Sequence, residues 1–192
     1  MLQLKYPLIL ASNSPRRKEL LEKLEIPFSV QTVDVEEELP DGIAPKVTAK
    51  YLAELKGNAH DHLAKNHIII TSDTVVIFNN KVVGKPKHSK EAVEILLQLS
   101  GNTHEVITGV CLKANNEMYL FDVSTSVTFG TLSQKEIEHY VNSGCANDKA
   151  GAYGIQDWIG MIGVSSIKGS YYNVMGFPVY ELYRMLKKHF SI

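Results

Sequence analysis

Short apolar blocks alternate with stretches of helical period over the first hundred residues. Leu8-Ile9-Leu10 is too short for a helix and suits a buried strand. Behind it, Ser14 suits an N-cap and Pro15 the first helical position, where a missing N–H costs nothing. Leu20, Leu21 and Leu24 then share one side of a helix, opposite Lys18, Glu19, Glu22 and Lys23. Phe28 to Val35 predicts a second strand, followed by the acidic Glu36-Glu37-Glu38 and the turn residues Pro40-Asp41-Gly42. A helix is expected from about Ala44 to His62, with Val47, Tyr51, Leu52, Leu55 and Ala59 facing the core. Ile68-Ile69-Ile70 predicts a buried strand ending in Thr71-Ser72-Asp73-Thr74. Val75 to Phe78 and Val82-Val83, joined by Asn79-Asn80, predict a hairpin.

The second half begins with a helix from Ser89 to Leu99, broken by Ser100-Gly101-Asn102. Two longer strands, Glu105 to Leu112 and Tyr119 to Phe129, turn near Ala114-Asn115-Asn116. Phe121, Val123, Val127 and Phe129 alternate with polar neighbours in the second of them, as in a sheet with one buried face. Ser133-Gln134-Lys135-Glu136 is a capping box opening a helix to about Asn142. Gly144 to Gly176 is glycine-rich and predicts short strands and functional loops, and Pro178 starts a closing helix with Leu182, Met185, Leu186 and Phe190 inward. Alternating strands and helices with hairpins among them predict an α/β fold on a mixed sheet.

A chain of 192 residues, 44% hydrophobic and 21% charged, suffices for one substantial core or one domain of two lobes. No repeat, low-complexity stretch or linker divides it. The net charge of -1 gives no general attraction to nucleic acid polymers or anionic membranes. Cys111 and Cys145 form no CxxC pair and read as free thiols in a reducing compartment. With no signal-peptide pattern and no apolar run of membrane-spanning length, a cytoplasmic location is expected.

Charge matters more locally. Arg16 and Arg17 fall in the first turn of their helix, where the dipole already places partial positive charge. Such a cluster favours a small polyanion, most simply phosphate, while a solvated basic turn is the other reading these residues leave open. Asp73 follows an apolar strand, where an ionised carboxylate is costly unless it meets a cation, a metal or a reacting group. Lys85 ends the hairpin, so the turn can bring it back toward Asp73; alone it is an ordinary surface lysine. Lys56 borders the stripe containing Leu52 and either reaches into a cleft or snorkels to solvent. Glu37 belongs to an acidic run of the kind that forms solvated faces. The loop from Asp148 to Gln156 offers one amide able to read a base or sugar, or is only a flexible connection.

Other patterns fail. Ser165 to Lys168 matches Ser-x-x-Lys but reads as strand, and no partner motif accompanies it. His60 and His62 point apart on a helix. Neither the Gly-x-x-x-x-Gly-Lys nor the Gly-x-Gly-x-x-Gly nucleotide fingerprint is present.

Taken together, Leu10-Ala11-Ser12-Asn13-Ser14-Pro15-Arg16-Arg17, Ser72-Asp73-Thr74, Gly84-Lys85-Pro86, Ser100-Gly101 with His104, Asp148 to Gln156 and Gly169 to Pro178 resemble the Maf-like nucleotide pyrophosphatases. The match runs in order over nearly the whole chain. Asp73-Thr74 and Ala152-Tyr153-Gly154-Ile155-Gln156 resemble the branch that cleaves dTTP and UTP; a sister branch acting on 7-methyl-GTP differs at both places. The resemblance implies an elongated mixed β-sheet flanked by helices with a central substrate cleft, of the Maf/Ham1-like, ITPase-like kind. It also implies one domain over residues 1–192, with two lobes, commonly paired as a homodimer.

The implied activity is hydrolysis of dTTP and UTP, with modified pyrimidine nucleotides, to the monophosphate and pyrophosphate, preventing incorporation of noncanonical nucleotides. A divalent metal, Mg²⁺ or Mn²⁺, is implied with it. Carried over by position, Asp73 is the general base, and Arg16, Thr74 and Gln156 set substrate preference. Ser12, Arg17, Lys56 and Lys85 hold phosphates, and Glu37 assists metal or water positioning. The alternative is a nucleotide-binding regulator of cell division without essential catalysis. Two residues depart from the family pattern: Ser72 stands where Ala is common, and Asp157 follows Gln156 where Gly is usual.

Overall fold

A computed structural model describes residues 2–192. Strand β1 (Leu8–Leu10) is buried along its whole length and is paired on both edges. It runs parallel to β2 (Phe28–Val30) and to β3 (Ile68–Phe78), with Leu8 opposite Phe28 on one side and Ile68 on the other. Helix α1 (Pro15–Glu22) joins β1 to β2, with Pro15 in its first turn and the Ser14 hydroxyl accepting from the Arg17 backbone N–H. Helix α2 (Pro45–Ala59) leads back to β3, and a single 3₁₀ turn follows it at Asp61–Leu63.

Strand β3 turns through Asn79 and Asn80, both with positive φ, into β4 (Lys81–Val83), pairing Val76 with Val83. Two consecutive left-handed residues suit a tight hairpin whose twist matches its strands. Helix α3 (Ser89–Leu99), β5 (Thr103–Ala114) and β6 (Glu117–Phe129) follow. Then come α4 (Gln134–Asn142), α5 (Trp158–Gly163), β7 (Val164–Lys168), α6 (Tyr171–Val174) and α7 (Val179–Phe190). The strand order is β2-β1-β3-β5-β6-β7, with β4 paired to β3 off that path. Parallel pairs at β1 and antiparallel pairs at β3–β4 and β6–β7 make this the mixed sheet that the alternating pattern predicts. Among the described residues no helix is long and apolar enough to cross a membrane.

Several expectations need correction. The second strand stops at Val30 rather than Val35, and residues 31–40 carry no regular structure. Val30 and Val33 are exposed, so their apolar character does not mark a buried strand. Helix α2 buries Thr48, Ala49, Leu52, Ala53 and Gly57, while Val47 is exposed. Its inward face is therefore rotated by about one residue from the expected stripe. The polar Thr71-Ser72-Asp73-Thr74 does not end a strand; β3 runs through it, 11 residues from Ile68 to Phe78. The glycine-rich region holds one strand, two short α-helices and a 3₁₀ turn at Ala150–Ala152 rather than strands and loops alone. Cys111 and Cys145 are free thiols, as expected, and burial pushes the Cys111 thiol up to about 11.

The chain packs as two compact units. The first comprises Met1–Asp73, Thr108–Val123 and Gly176–Ile192, and the second Thr74–Ile107 and Ser124–Met175. In the first, α2 lies directly on β5. A Cβ placed on Gly109 would come within 2.3 Å of the Ala49 carbonyl oxygen, and one on Gly57 within 2.7 Å of Cys111 Sγ. The Thr71 hydroxyl donates to the Ala53 carbonyl at 2.5 Å, fastening the helix to β3. Gly109→Ala should therefore destabilise the fold by about 2 kcal/mol, the scale of core overpacking against atoms that cannot swing aside. Chemical denaturation checks this, and an unchanged midpoint would contradict the close approach.

Candidate active site

In the first unit, Lys56 joins Asp73 to Glu37. Lys56 sits on α2 just past the inward residues Leu52 and Ala53, and the close approach of α2 turns its ammonium inward instead of to solvent. Its Nζ donates to Asp73 Oδ1 at 2.6 Å and lies 2.9 Å from Glu37 Oε1. Lys56 and Asp73 side chains are each only 17% exposed, so the pair is shielded enough for its attraction to count. Glu37, part of an acidic run in sequence, is thus drawn from that run to one ammonium. Its segment is also anchored: the Val33 N–H donates to His60 Nε2 at 3.1 Å, and His60 Nδ1 lies 2.7 Å from the Lys56 carbonyl. With Nε2 accepting, Nδ1 is the protonated nitrogen. His60 is therefore occupied with backbone groups rather than poised to chelate.

Arg17 is the second hub. Its Nη1 donates to the Ser72 carbonyl at 2.7 Å and to the Ser12 hydroxyl at 3.3 Å, while Nε donates to the Gly176 carbonyl at 3.0 Å. Burial lowers its pKa; Asp73 and Glu37 act against that shift, and the neighbouring Arg16 adds to it. An arginine keeps its charge under such shifts. Arg17 thus ties the start of α1 to the residue preceding Asp73 and to the segment after α6. Three cations, Arg16, Arg17 and Lys56, stand with two carboxylates in this unit. Sequence reasoning singled out all five and missed the carbonyls of Ser72 and Gly176, for which side-chain patterns carry no signal.

Thr74, Lys85 and Gln156 lie in the second unit. The antiparallel register of β4 carries the chain after Val83 back along β3 toward Thr74. The Gly151 N–H donates to the Gly84 carbonyl at 3.1 Å, which joins the turn before Lys85 to the loop before Gln156. Lys85 is exposed; Gln156 is half-buried, with its amide Oε1 buried and lacking a hydrogen-bond partner. Asp157 makes no side-chain cap on α5. Its carboxylate accepts instead from the Tyr140 hydroxyl at 2.7 Å and lies 3.5 Å from Lys149 Nζ. Nearby, buried His104 bonds the Tyr153 hydroxyl at 2.7 Å through Nε2.

Among the described residues, no cluster of three or more His, Cys, Asp or Glu side chains is arranged to hold a metal. Asp73 and Glu37, however, are two hard oxygen donors meeting at one Nζ. That donor set suits Mg²⁺ or Mn²⁺, which take one or two carboxylates and complete their shell with phosphate oxygens and water.

The family model described as "Maf-like protein" matches residues 7–189. A protein of Bacteroides thetaiotaomicron named dTTP/UTP pyrophosphatase is 46% identical over 186 residues, covering 96% of each chain. One of the same name from Phocaeicola vulgatus is 48% identical over 186 residues, again 96% of each. Among solved structures, the Ham1 protein of Staphylococcus aureus shares the fold at a TM-score of 0.52 and 17% identity, covering 95% of this chain and 98% of that one. With the match spanning nearly all of its length, the chain belongs to the Maf family.

Proposed function

We propose that this protein hydrolyses dTTP and UTP, and modified pyrimidine nucleotides like them, to the monophosphate and pyrophosphate, keeping noncanonical nucleotides out of nucleic acid. The observation that carries the reading is the Asp73–Lys56–Glu37 assembly beside a backbone held by Arg17. A triphosphate carries about four negative charges, and breaking its α–β bond adds charge to the pyrophosphate; preorganised cations stabilise such charge where it develops. Arg16, Arg17, Lys56 and Lys85 would serve that purpose, with Ser12 offering a hydroxyl. Asp73 would orient a water and take its proton as the water attacks the α-phosphorus. The Lys56 ammonium, 2.6 Å from Asp73 Oδ1, holds that carboxylate in place.

Asp73 and Glu37 would hold a divalent cation arriving with the substrate, and when bound it supplies Lewis-acid neutralisation of phosphate charge. Arg16, Thr74 and Gln156 would set substrate preference. The unpartnered Gln156 Oε1 is an acceptor awaiting a donor, which N3–H of thymine or uracil provides and cytosine N3 does not. The reading includes action in the cytoplasm and pairing as a homodimer, on the family resemblance. Pyrophosphate release should be readily measured with dTTP and UTP in the presence of Mg²⁺ or Mn²⁺. Absence of release with both nucleotides and both metals would overturn the reading and favour a binding protein that does not cleave.

A further inference from the structure

The departure at Asp157 has a structural consequence that reaches Gln156. Gly154 to Asp157 form a turn closed by the Asp157 N–H donating to the Gly154 carbonyl at 3.0 Å, and Gln156 is its third residue. An aspartate preceding a helix normally turns its carboxylate onto the helix's first N–H groups. Asp157 does not do so. Its carboxylate folds back over the turn, so that a Cβ on buried Gly154 would lie only 2.4 Å from Asp157 Oδ2.

The Tyr140 hydroxyl completes the lock. It donates to Asp157 Oδ2 at 2.7 Å and accepts from the Gly154 N–H at 3.2 Å, so one hydroxyl on α4 grips both ends of the turn. Lys149 Nζ, which donates to the Cys145 carbonyl at 2.5 Å and to Asp148 Oδ1 at 2.7 Å, lies 3.5 Å from the same Oδ2 and adds a positive charge beside the carboxylate. Tyr140 is buried and Asp157 half-buried, which strengthens a charge-assisted bond between them. Held at both ends, the turn leaves Gln156 few backbone alternatives, and its Oε1 stays buried without a partner.

We propose that Tyr140 and Asp157 are positioning residues for Gln156, a clamp that fixes the direction from which its amide meets the pyrimidine base. The inference rests on the reading of Gln156 as the base reader. It also assigns a role to the carboxylate beside that amide: Asp157 is engaged by Tyr140 and Lys149 and holds the reader instead of competing with it for the base.

The test compares KM for dTTP with the inhibition constant of dCTP, in wild type, Tyr140→Phe, Asp157→Ala, Asp157→Asn, Gln156→Ala and the Asp157→Ala/Gln156→Ala double variant. Tyr140→Phe and Asp157→Ala should each raise the KM for dTTP roughly 10-fold, the worth of one good hydrogen bond, with kcat and the dCTP constant little changed. Asp157→Asn keeps an acceptor for the Tyr140 hydroxyl and should recover most of the loss. In the Gln156→Ala background, Asp157→Ala should add nothing. Equal shifts of the dTTP and dCTP constants, or a further loss in the double variant, would show a merely structural role and overturn the inference. If Gln156→Ala itself leaves the preference for dTTP unchanged, base reading by Gln156 fails, and the clamp falls with it. Tyr140→Phe removes one oxygen without changing shape, so it carries the test should Asp157→Ala fold poorly.

Discussion

Asp73→Asn is expected to lower the turnover of dTTP by about 10²-fold or more, the usual contribution of a positioned base. The substitution preserves shape and leaves Lys56 Nζ an oxygen to donate to, so folding should be little affected. It removes the negative charge that balances the Lys56 ammonium and, in the proposed reaction, would accept a proton from water. The loss should appear chiefly in kcat, with a smaller rise in KM because Asp73 would also help hold the metal that arrives with the substrate. Wild-type-like turnover in this variant would assign the base elsewhere, and Glu37, which shares Lys56, would be the first residue to examine.

The second large effect concerns pH and stability. His104 is 2% exposed, its Nε2 is bonded to the Tyr153 hydroxyl, and its buried Nδ1 meets no partner that could accept a second proton. Burial accordingly lowers its pKa from 6.5 to about 4. The folded protein thus holds this imidazole neutral where the unfolded chain would protonate it. Above pH 6.5 both states are neutral and the group has no pH-dependent effect. As pH falls from 6.5 to about 4, the unfolded state binds the extra proton and stability declines, by about 3 kcal/mol from this group. Denaturant unfolding at several pH values checks the point. Wild type should lose about that much more than His104→Asn across the interval, and parallel curves for the two proteins would contradict it.

Local signals were legible along the chain, and the structure realises them. Ser14 and Pro15 at the start of α1, the two asparagines of the β3–β4 hairpin and the capping box at Ser133 each depend on neighbours within a few residues. What was illegible depends on distant partners. A polar run through Thr71 to Thr74 reads as a strand end, yet β3 continues because the paired strand around it and the Thr71–Ala53 bond supply what the side chains lack. The face of α2 was misjudged by one position because small residues, Ala49, Ala53 and Gly57, form its contact where larger apolar ones were expected.

The candidate site divides in the same way. Residue type and motif order singled out Asp73, Lys56, Glu37 and Arg17. Periodicity could not show that Lys56 joins Asp73 to Glu37, because Asp73 lies 17 residues away on another element. Nor could it show that Arg17 spends donors on carbonyls 55 and 159 residues distant. A tyrosine on the inward face of a helix looks like core, and the bonds of the Tyr140 hydroxyl to Asp157 and Gly154 are what distinguish it.

The proposed reaction is attack of water on the α-phosphorus of a pyrimidine triphosphate. Hydrolysis of dTTP in ¹⁸O-labelled water, followed by mass spectrometry of both products, tests it most directly. The account predicts dTMP carrying one ¹⁸O atom and unlabelled pyrophosphate. Label in the pyrophosphate, or products of dTDP and phosphate, would contradict it.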